Sequence, residues 1–117
     1  MLVKTYGSAV FGLEATTITI EVNVCTGVNF ILVCLPDSAV KESQQRVKAA
    51  IKNIGLKFPG KEITVNMAPA DIRKEGSTFD LPIALGILAA SEQLNQNKLD
   101  QFIILGELPS ISYKFGQ

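Results

Sequence analysis

Regular alternation of apolar and polar residues gives the clearest structural signal in the chain. It runs from residue 16 to residue 24, where apolar side chains occupy every second position: Ile18, Ile20, Val22 and Val24. The positions between them are polar: Thr17, Thr19, Glu21 and Asn23. Because successive side chains of a strand point to opposite faces of its sheet, this segment is predicted to be a strand with one buried and one solvated face.

Further strands are predicted where short apolar segments are bounded by turn residues: 2–11, 30–35, 63–67 and 102–105. Residues 30–35 are continuously apolar, which is typical of a central strand buried on both faces. A turn at residues 26–29 would join this strand to residues 14–25 as a hairpin. We therefore expect the first three strands to be antiparallel neighbours.

Helical periodicity marks two segments. The first should run from Asp37 or Ser38, either of which is a good N-cap, to about Asn53, with Gly55 as C-cap. Its apolar stripe consists of Val40, Val47, Ile51 and Ile54. The second helix, residues 80–91, is apolar nearly all round, so we expect it to be buried, with Asp80 as N-cap and Pro82 in the first turn.

The resulting element order is β-β-β-α-β-α-β, with no internal repeat and no linker. It indicates an α/β (α+β) fold, a two-layer sandwich of a mixed sheet with the helices on one face. At 117 residues the chain is long enough for one domain. No apolar run reaches the length of a membrane span, and no signal peptide is evident.

The composition excludes several kinds of site. The chain contains no His, which removes Ser-His-Asp and Cys-His catalysis and His-ligated zinc. Its 11 basic residues balance 11 acidic ones, so no global charge points to a nucleic-acid or membrane partner. Cys25 and Cys34 are interpreted as reduced core thiols of a cytoplasmic protein, because in the predicted hairpin they would not lie opposite each other.

Residues 55–61, Gly-Leu-Lys-Phe-Pro-Gly-Lys, have the spacing of a phosphate-binding P-loop. Glu62 stands where a magnesium-binding Ser or Thr is needed, and Pro59 removes one backbone N–H donor. The segment also follows a helix and precedes a strand, the reverse of the P-loop order. A helix C-cap followed by a turn explains it better.

Two candidate sites are left open. Lys41, Lys48 and Lys52 share one flank of the first predicted helix and would suit a phosphate backbone. No aromatic residues are interleaved with them, which favours a solvated helix face instead. In the charged loop between residues 67 and 84, Lys74 together with Ser77 or Thr78 is a candidate for a Lys-assisted hydroxyl nucleophile. The alternative is a tight turn at Gly76 with solvated charges.

Five segments carry a resemblance to a known family: residues 6–13, 35–47, 66–76, 79–91 and 105–108. In them the chain resembles the N-terminal domain of the magnesium-chelatase subunit I-like AAA+ proteins of bacteria, the YifB/ComM type. The resemblance covers residues 1–108 and leaves 109–117 as a divergent or truncated tail. Cys34 stands where the family usually has Gly.

The resemblance implies a fold shared with the proteolytic domain of Lon proteases and the second domain of ribosomal protein S five. It implies an AAA+ module elsewhere in the full-length protein, which would bind ATP and magnesium and assemble into a homo-oligomeric ring. The ComM branch is implicated in DNA branch migration, which makes DNA a candidate partner. For this chain itself it implies no cofactor, no metal and a non-catalytic accessory role.

Beside Lon, Thr78 falls where that protease has its nucleophilic Ser. Lon's catalytic Lys lies well after the segment that matches residues 105–108, beyond this chain's last residue. The resemblance therefore implies a relict or repurposed peptidase site, with Lys74 the remaining basic candidate.

Overall fold

The computed structural model describes residues 1–11, 13–33, 35, 37–53, 55–69 and 79–94. Its strands are β1 (Leu2–Phe11), β2 (Glu14–Cys25), β3 (Phe30–Leu32) and β4 (Glu62–Ala68). Its helices are α1 (Asp37–Asn53) and α2 (Asp80–Ala90). The predicted elements are thus confirmed among the described residues from 2 to 90, except that β3 ends at Leu32 and does not extend to residue 35 as predicted. The predicted strand 102–105 lies outside the described residues.

The four strands form one mixed sheet in the order β1-β2-β4-β3. β1 and β2 are antiparallel, with Val3 opposite Val22. β2 and β4 are also antiparallel, with Val22 opposite Val65. β3 runs parallel to β4, with Leu32 opposite Val65.

The predicted hairpin between residues 14–25 and 30–35 is wrong. Among the strands that the structure describes, β4 occupies the place beside β2, and β3 is the outermost strand beside β4 rather than a central one. The predicted burial of this strand on both faces is wrong for the same reason, since Ile31 is 40% exposed and Val33 is 43% exposed. A continuous apolar run does not distinguish a central strand from a short edge strand packed on a helix.

The helices pack on one face of the sheet, which confirms the two-layer α+β arrangement. α2 lies across β1 and β2, while α1 contacts α2 and β3. The alternating side chains predicted for β2 point as expected, because its four apolar residues are at most 5% exposed. The largest fully buried side chains form one core: Phe79, Ile18, Ile20, Ile51, Ile63, Met67, Ile83, Ile87, Leu88, Val22 and Val47.

α1 ends at Asn53, and Gly55 caps it as predicted. This residue has φ of 85°, a left-handed conformation that favours glycine. Its N–H donates to the Lys52 carbonyl at 3.1 Å, and the Leu56 N–H donates to the Ile51 carbonyl at 3.2 Å. These two bonds form a Schellman cap, so the segment with P-loop spacing begins as a helix terminus.

Cys25 is a free and exposed thiol, so the prediction that it is a core residue is wrong. It ends β2 opposite Glu62 of β4, at the solvated rim of the sheet. Cys34 lies outside the described residues. No helix within the described ranges is long and apolar enough to cross a membrane.

Candidate functional sites

The described end of the charged loop contains a buried carboxylate. Asp80 is the first residue of α2, and it is 0% exposed. The prediction that it caps the helix is wrong, since Phe79 occupies the N-cap position and makes no side-chain cap bond. The Asp80 carboxylate instead binds side chains of α1.

Two residues of α1 hold that carboxylate. The Ser43 hydroxyl donates to Asp80 Oδ1 at 2.7 Å. Arg46 Nε donates to Asp80 Oδ2, and Arg46 Nη2 lies 3.4 Å from Oδ1. Ser43 is fully buried and the Arg46 side chain is 18% exposed. Burying a charge is costly unless it is paired and hydrogen-bonded, and both conditions are met here.

The same arginine also has a solvent-exposed acidic neighbour. Arg46 Nη1 lies 3.8 Å from the Glu42 carboxylate, whose side chain is 74% exposed. A concave region of about 500 Å³ adjoins these side chains and is lined by Glu42, Gln45, Arg46 and Ala49. The guanidinium therefore lies between a buried carboxylate and the solvated face of α1.

Two further contacts fix the start of α2 on the sheet. The buried Thr5 hydroxyl donates to the Pro82 carbonyl at 3.0 Å. Phe79 is 1% exposed, and a Cβ at Gly7 would lie 3.0 Å from its ring. The described end of the loop region therefore has a structural role: Phe79 packs against the sheet, and Asp80 anchors α2 to α1. Lys74 and Thr78 lie outside the described residues, so the nucleophile prediction stays a prediction.

The three candidate lysines of α1 are all exposed, as the predicted solvated flank requires. Lys48 has aromatic neighbours that the sequence did not indicate. Its Nζ lies 5.8 Å from the centroid of the Phe30 ring and 5.4 Å from that of Phe58. The two ring centroids are 5.3 Å apart with an interplanar angle of 42°.

The aromatic pair is assembled from distant parts of the chain. Phe30 begins β3, and Phe58 lies between the end of α1 and the start of β4. The Gln44 side-chain amide donates to the Phe30 carbonyl at 2.6 Å, which attaches β3 to α1. Aromatic residues are therefore absent between the three lysines in the sequence, but two of them lie beside Lys48 in three dimensions.

A second concave region, also of about 500 Å³, lies where α2 ends. Gln93 closes one side of it, because its side chain accepts from the Lys57 N–H at 2.9 Å and donates to the Lys57 carbonyl at 2.7 Å. Among the residues that the structure describes, no group of three or more His, Cys, Asp or Glu side chains is arranged to hold a metal ion.

Comparison with known proteins matches residues 20–111 to the family model described as subunit ChlI of Mg-chelatase. The chain is 50% identical over 101 residues to the YifB protein of Escherichia coli, covering 86% of this chain and 20% of that protein. It is 53% identical over 104 residues to the competence protein ComM of Haemophilus influenzae, covering 88% of this chain and 20% of ComM.

A Mycobacterium tuberculosis protein is 35% identical over 106 residues, which cover 90% of this chain and 21% of that relative. The chain thus spans about one fifth of the length of the relatives that it matches.

Proposed function

The chain belongs to the family of subunit ChlI of Mg-chelatase, and we propose that it is a non-catalytic accessory domain of a larger AAA+ ATPase. In this proposal it forms the N-terminal part of a cytoplasmic protein whose ATPase module lies in the four fifths of the relatives that it does not match. That module would bind ATP and magnesium and form a ring of identical subunits. The present domain would make subunit or substrate contacts.

The buried Ser43–Arg46–Asp80 network is the observation that supports this role. Acid–base and nucleophilic catalysis need a polar group that reaches the substrate. The Asp80 carboxylate is instead fully buried and bonded on both oxygens to α1. Its position at the head of α2 supports a structural purpose, which is to fix the end of the loop region on a rigid helix pair.

The relative from Haemophilus influenzae is the competence protein ComM. On the basis of this similarity we also propose that the full-length protein acts in DNA processing. The accessory domain would then assist by presenting DNA or a neighbouring subunit to the ATPase module. A role of the full-length protein in DNA processing does not depend on whether this domain is catalytic.

A domain exchange tests the accessory role. In the Escherichia coli YifB relative, which is 50% identical over the matched segment, that segment is deleted in one variant and replaced by this chain in another. We expect the deletion to change ring assembly or the ATPase rate and the replacement to restore it. The isolated chain should hydrolyse neither ATP nor peptides above the buffer blank.

Two results would contradict the proposal. One is a replacement variant that behaves like the deletion. The other is turnover by the isolated chain, for which Thr78→Ala is the diagnostic variant: peptide cleavage that this substitution abolishes would establish the peptidase alternative.

A further inference from the structure

Five exposed lysines lie on α1 and in the segment that contains Phe58, and one of them, Lys48, contacts the aromatic pair formed by Phe30 and Phe58. Lys41, Lys48 and Lys52 lie on α1, and Lys57 and Lys61 are near Phe58 in sequence, in the segment before β4. All five are exposed. We call these lysines, together with the two phenylalanines, the aromatic–lysine patch. Within residues 37–62, six basic residues against three acidic ones give a net charge of +3, in contrast to the zero net charge of the whole chain.

The rings of the patch are rigidly placed and partly open to solvent. Phe30 and Phe58 are half-buried, with one side of each packed against the core. The Gln44 amide holds the Phe30 backbone on α1, and the Gly55 cap sets the direction in which the chain leaves α1 toward Phe58. A ligand that stacks on these rings would meet a surface that is already formed, which lowers the entropic cost of binding.

The lysines on α1 are spaced for an extended polyanion. Lys41, Lys48 and Lys52 are seven and four residues apart and lie on one flank of the helix. At about 1.5 Å per residue they are separated by roughly 10 Å and 6 Å along the helix axis. Lys48 is the member beside the rings, and Lys41 and Lys52 precede and follow it along α1.

The contact between Lys48 and the rings is weak enough for a contact between Lys48 and a phosphate group to replace it. Its Nζ lies 5.4 Å and 5.8 Å from the two centroids, near the outer limit of about 6 Å for a cation–π contact. Such a contact is weak at an exposed site. A phosphate group would attract the ammonium more strongly and uncover the ring faces.

We propose that the aromatic–lysine patch binds single-stranded nucleic acid, with bases stacking on Phe30 and Phe58 and phosphates contacting the lysines. Exposed bases are available for stacking only in single strands, and every base has a face that an aromatic ring accepts. A phosphopeptide would use the charges but leave the rings without a role. The inference deepens the contact role proposed above and rests on it.

Fluorescence anisotropy with a labelled oligothymidylate of about 20 nucleotides tests the patch in the whole chain. With three phosphate contacts, the affinity for a single strand should fall with log salt at a slope of about −2. That slope corresponds to roughly 20-fold weaker binding when salt is raised from about 50 to about 200 mM. A duplex of the same length should bind less tightly.

Two variants separate stacking from charge. Phe58→Leu keeps apolar volume but removes a ring, and should weaken binding roughly tenfold at every salt concentration without changing the slope. Lys48→Gln should reduce the slope by about 0.7. The matched control is Lys4→Gln, an exposed lysine on β1 at the opposite edge of the sheet, which should change neither quantity. Circular dichroism verifies that each variant is folded.

Several outcomes would overturn the proposal: no salt-dependent binding, equal loss in the Lys4 and Lys48 variants, or binding insensitive to Phe58→Leu. Equal affinity for a multiply phosphorylated peptide would assign the patch to that partner instead. None of these results affects the domain exchange, in which ring assembly and ATPase rate are measured without nucleic acid.

Discussion

At the scale of single residues, Asp80 has the largest structural consequence. Its sequence context, before Leu-Pro and an apolar run, is typical of a helix N-cap. The carboxylate instead bonds to Ser43 and Arg46, which precede it by 37 and 34 residues. Capping rules describe competition between a side chain and its own helix. They do not include a distant guanidinium, which offers a stronger, charge-assisted bond.

Asp80→Asn should destabilise the fold by about 2–4 kcal/mol, because it leaves the Arg46 charge poorly compensated in a largely dry site. Urea unfolding measures this change. The control Glu42→Gln removes the other acidic neighbour of Arg46, which is 74% exposed, and should change the free energy of unfolding by less than about 0.5 kcal/mol. Equal effects of the two substitutions would mean that burial of the network does not contribute to the free energy of unfolding.

Cys25 provides a second test at this scale. Because its thiol is exposed in the folded chain, a disulfide reagent such as Ellman's should label it rapidly without denaturant. Cys25→Ser should remove one thiol per chain from the rapid phase and leave the free energy of unfolding within about 0.5 kcal/mol. Labelling of Cys25 that requires denaturant would contradict the position of β2 described above.

At the scale of elements, the sequence predicted those features that depend on local pattern. β2, α1 and α2 were found because their periodicity and their terminal residues lie within the segment itself. The position of β3 was not found, because a turn at Gly27 suggested a hairpin with β2. In the structure a Cβ at Gly27 would lie 2.6 Å from Cβ of Glu62. The turn at Gly27 takes the chain past β4 to the position of β3, and no local sequence pattern indicates this path.

The contact between α2 and the sheet depends on Gly86. A Cβ at this position would lie 2.6 Å from Cγ2 of Val22, a fully buried β-branched side chain with little rotamer freedom. Gly86→Ala should therefore cost about 1–3 kcal/mol from overpacking. The better helix propensity of alanine offsets about 1 kcal/mol of that cost.

Two comparisons isolate the clash. Gly60→Ala, where no atom of the described residues other than its two chain neighbours lies within 4 Å of the added Cβ, should change the free energy of unfolding by less than about 0.5 kcal/mol. In a Val22→Ala background the clash is removed, so Gly86→Ala should become stabilising by up to about 1 kcal/mol. A destabilisation of the same size in both backgrounds would show that the helix, and not its contact with β2, is sensitive.

At the scale of the whole molecule, the last described helix packs on the first two strands of the chain. α2 covers the β1–β2 hairpin, while α1 connects β3 to β4. These two parts are joined by the pairing of β2 with β4 and by the Ser43–Arg46–Asp80 network between the helices. Neither part buries its apolar face without the other, so we expect one cooperative unit.

Hydrogen exchange under native conditions tests this cooperativity. The amides of Val22 and Val65, at the centre of the sheet, should exchange only through global unfolding. Asp80→Asn, distant from both in sequence, should then accelerate both by the same factor. A loss of about 2–4 kcal/mol corresponds to roughly 30- to 700-fold. Acceleration confined to α1 and α2, with the strand amides unchanged, would show that the helices open separately and that the network stabilises only their mutual contact.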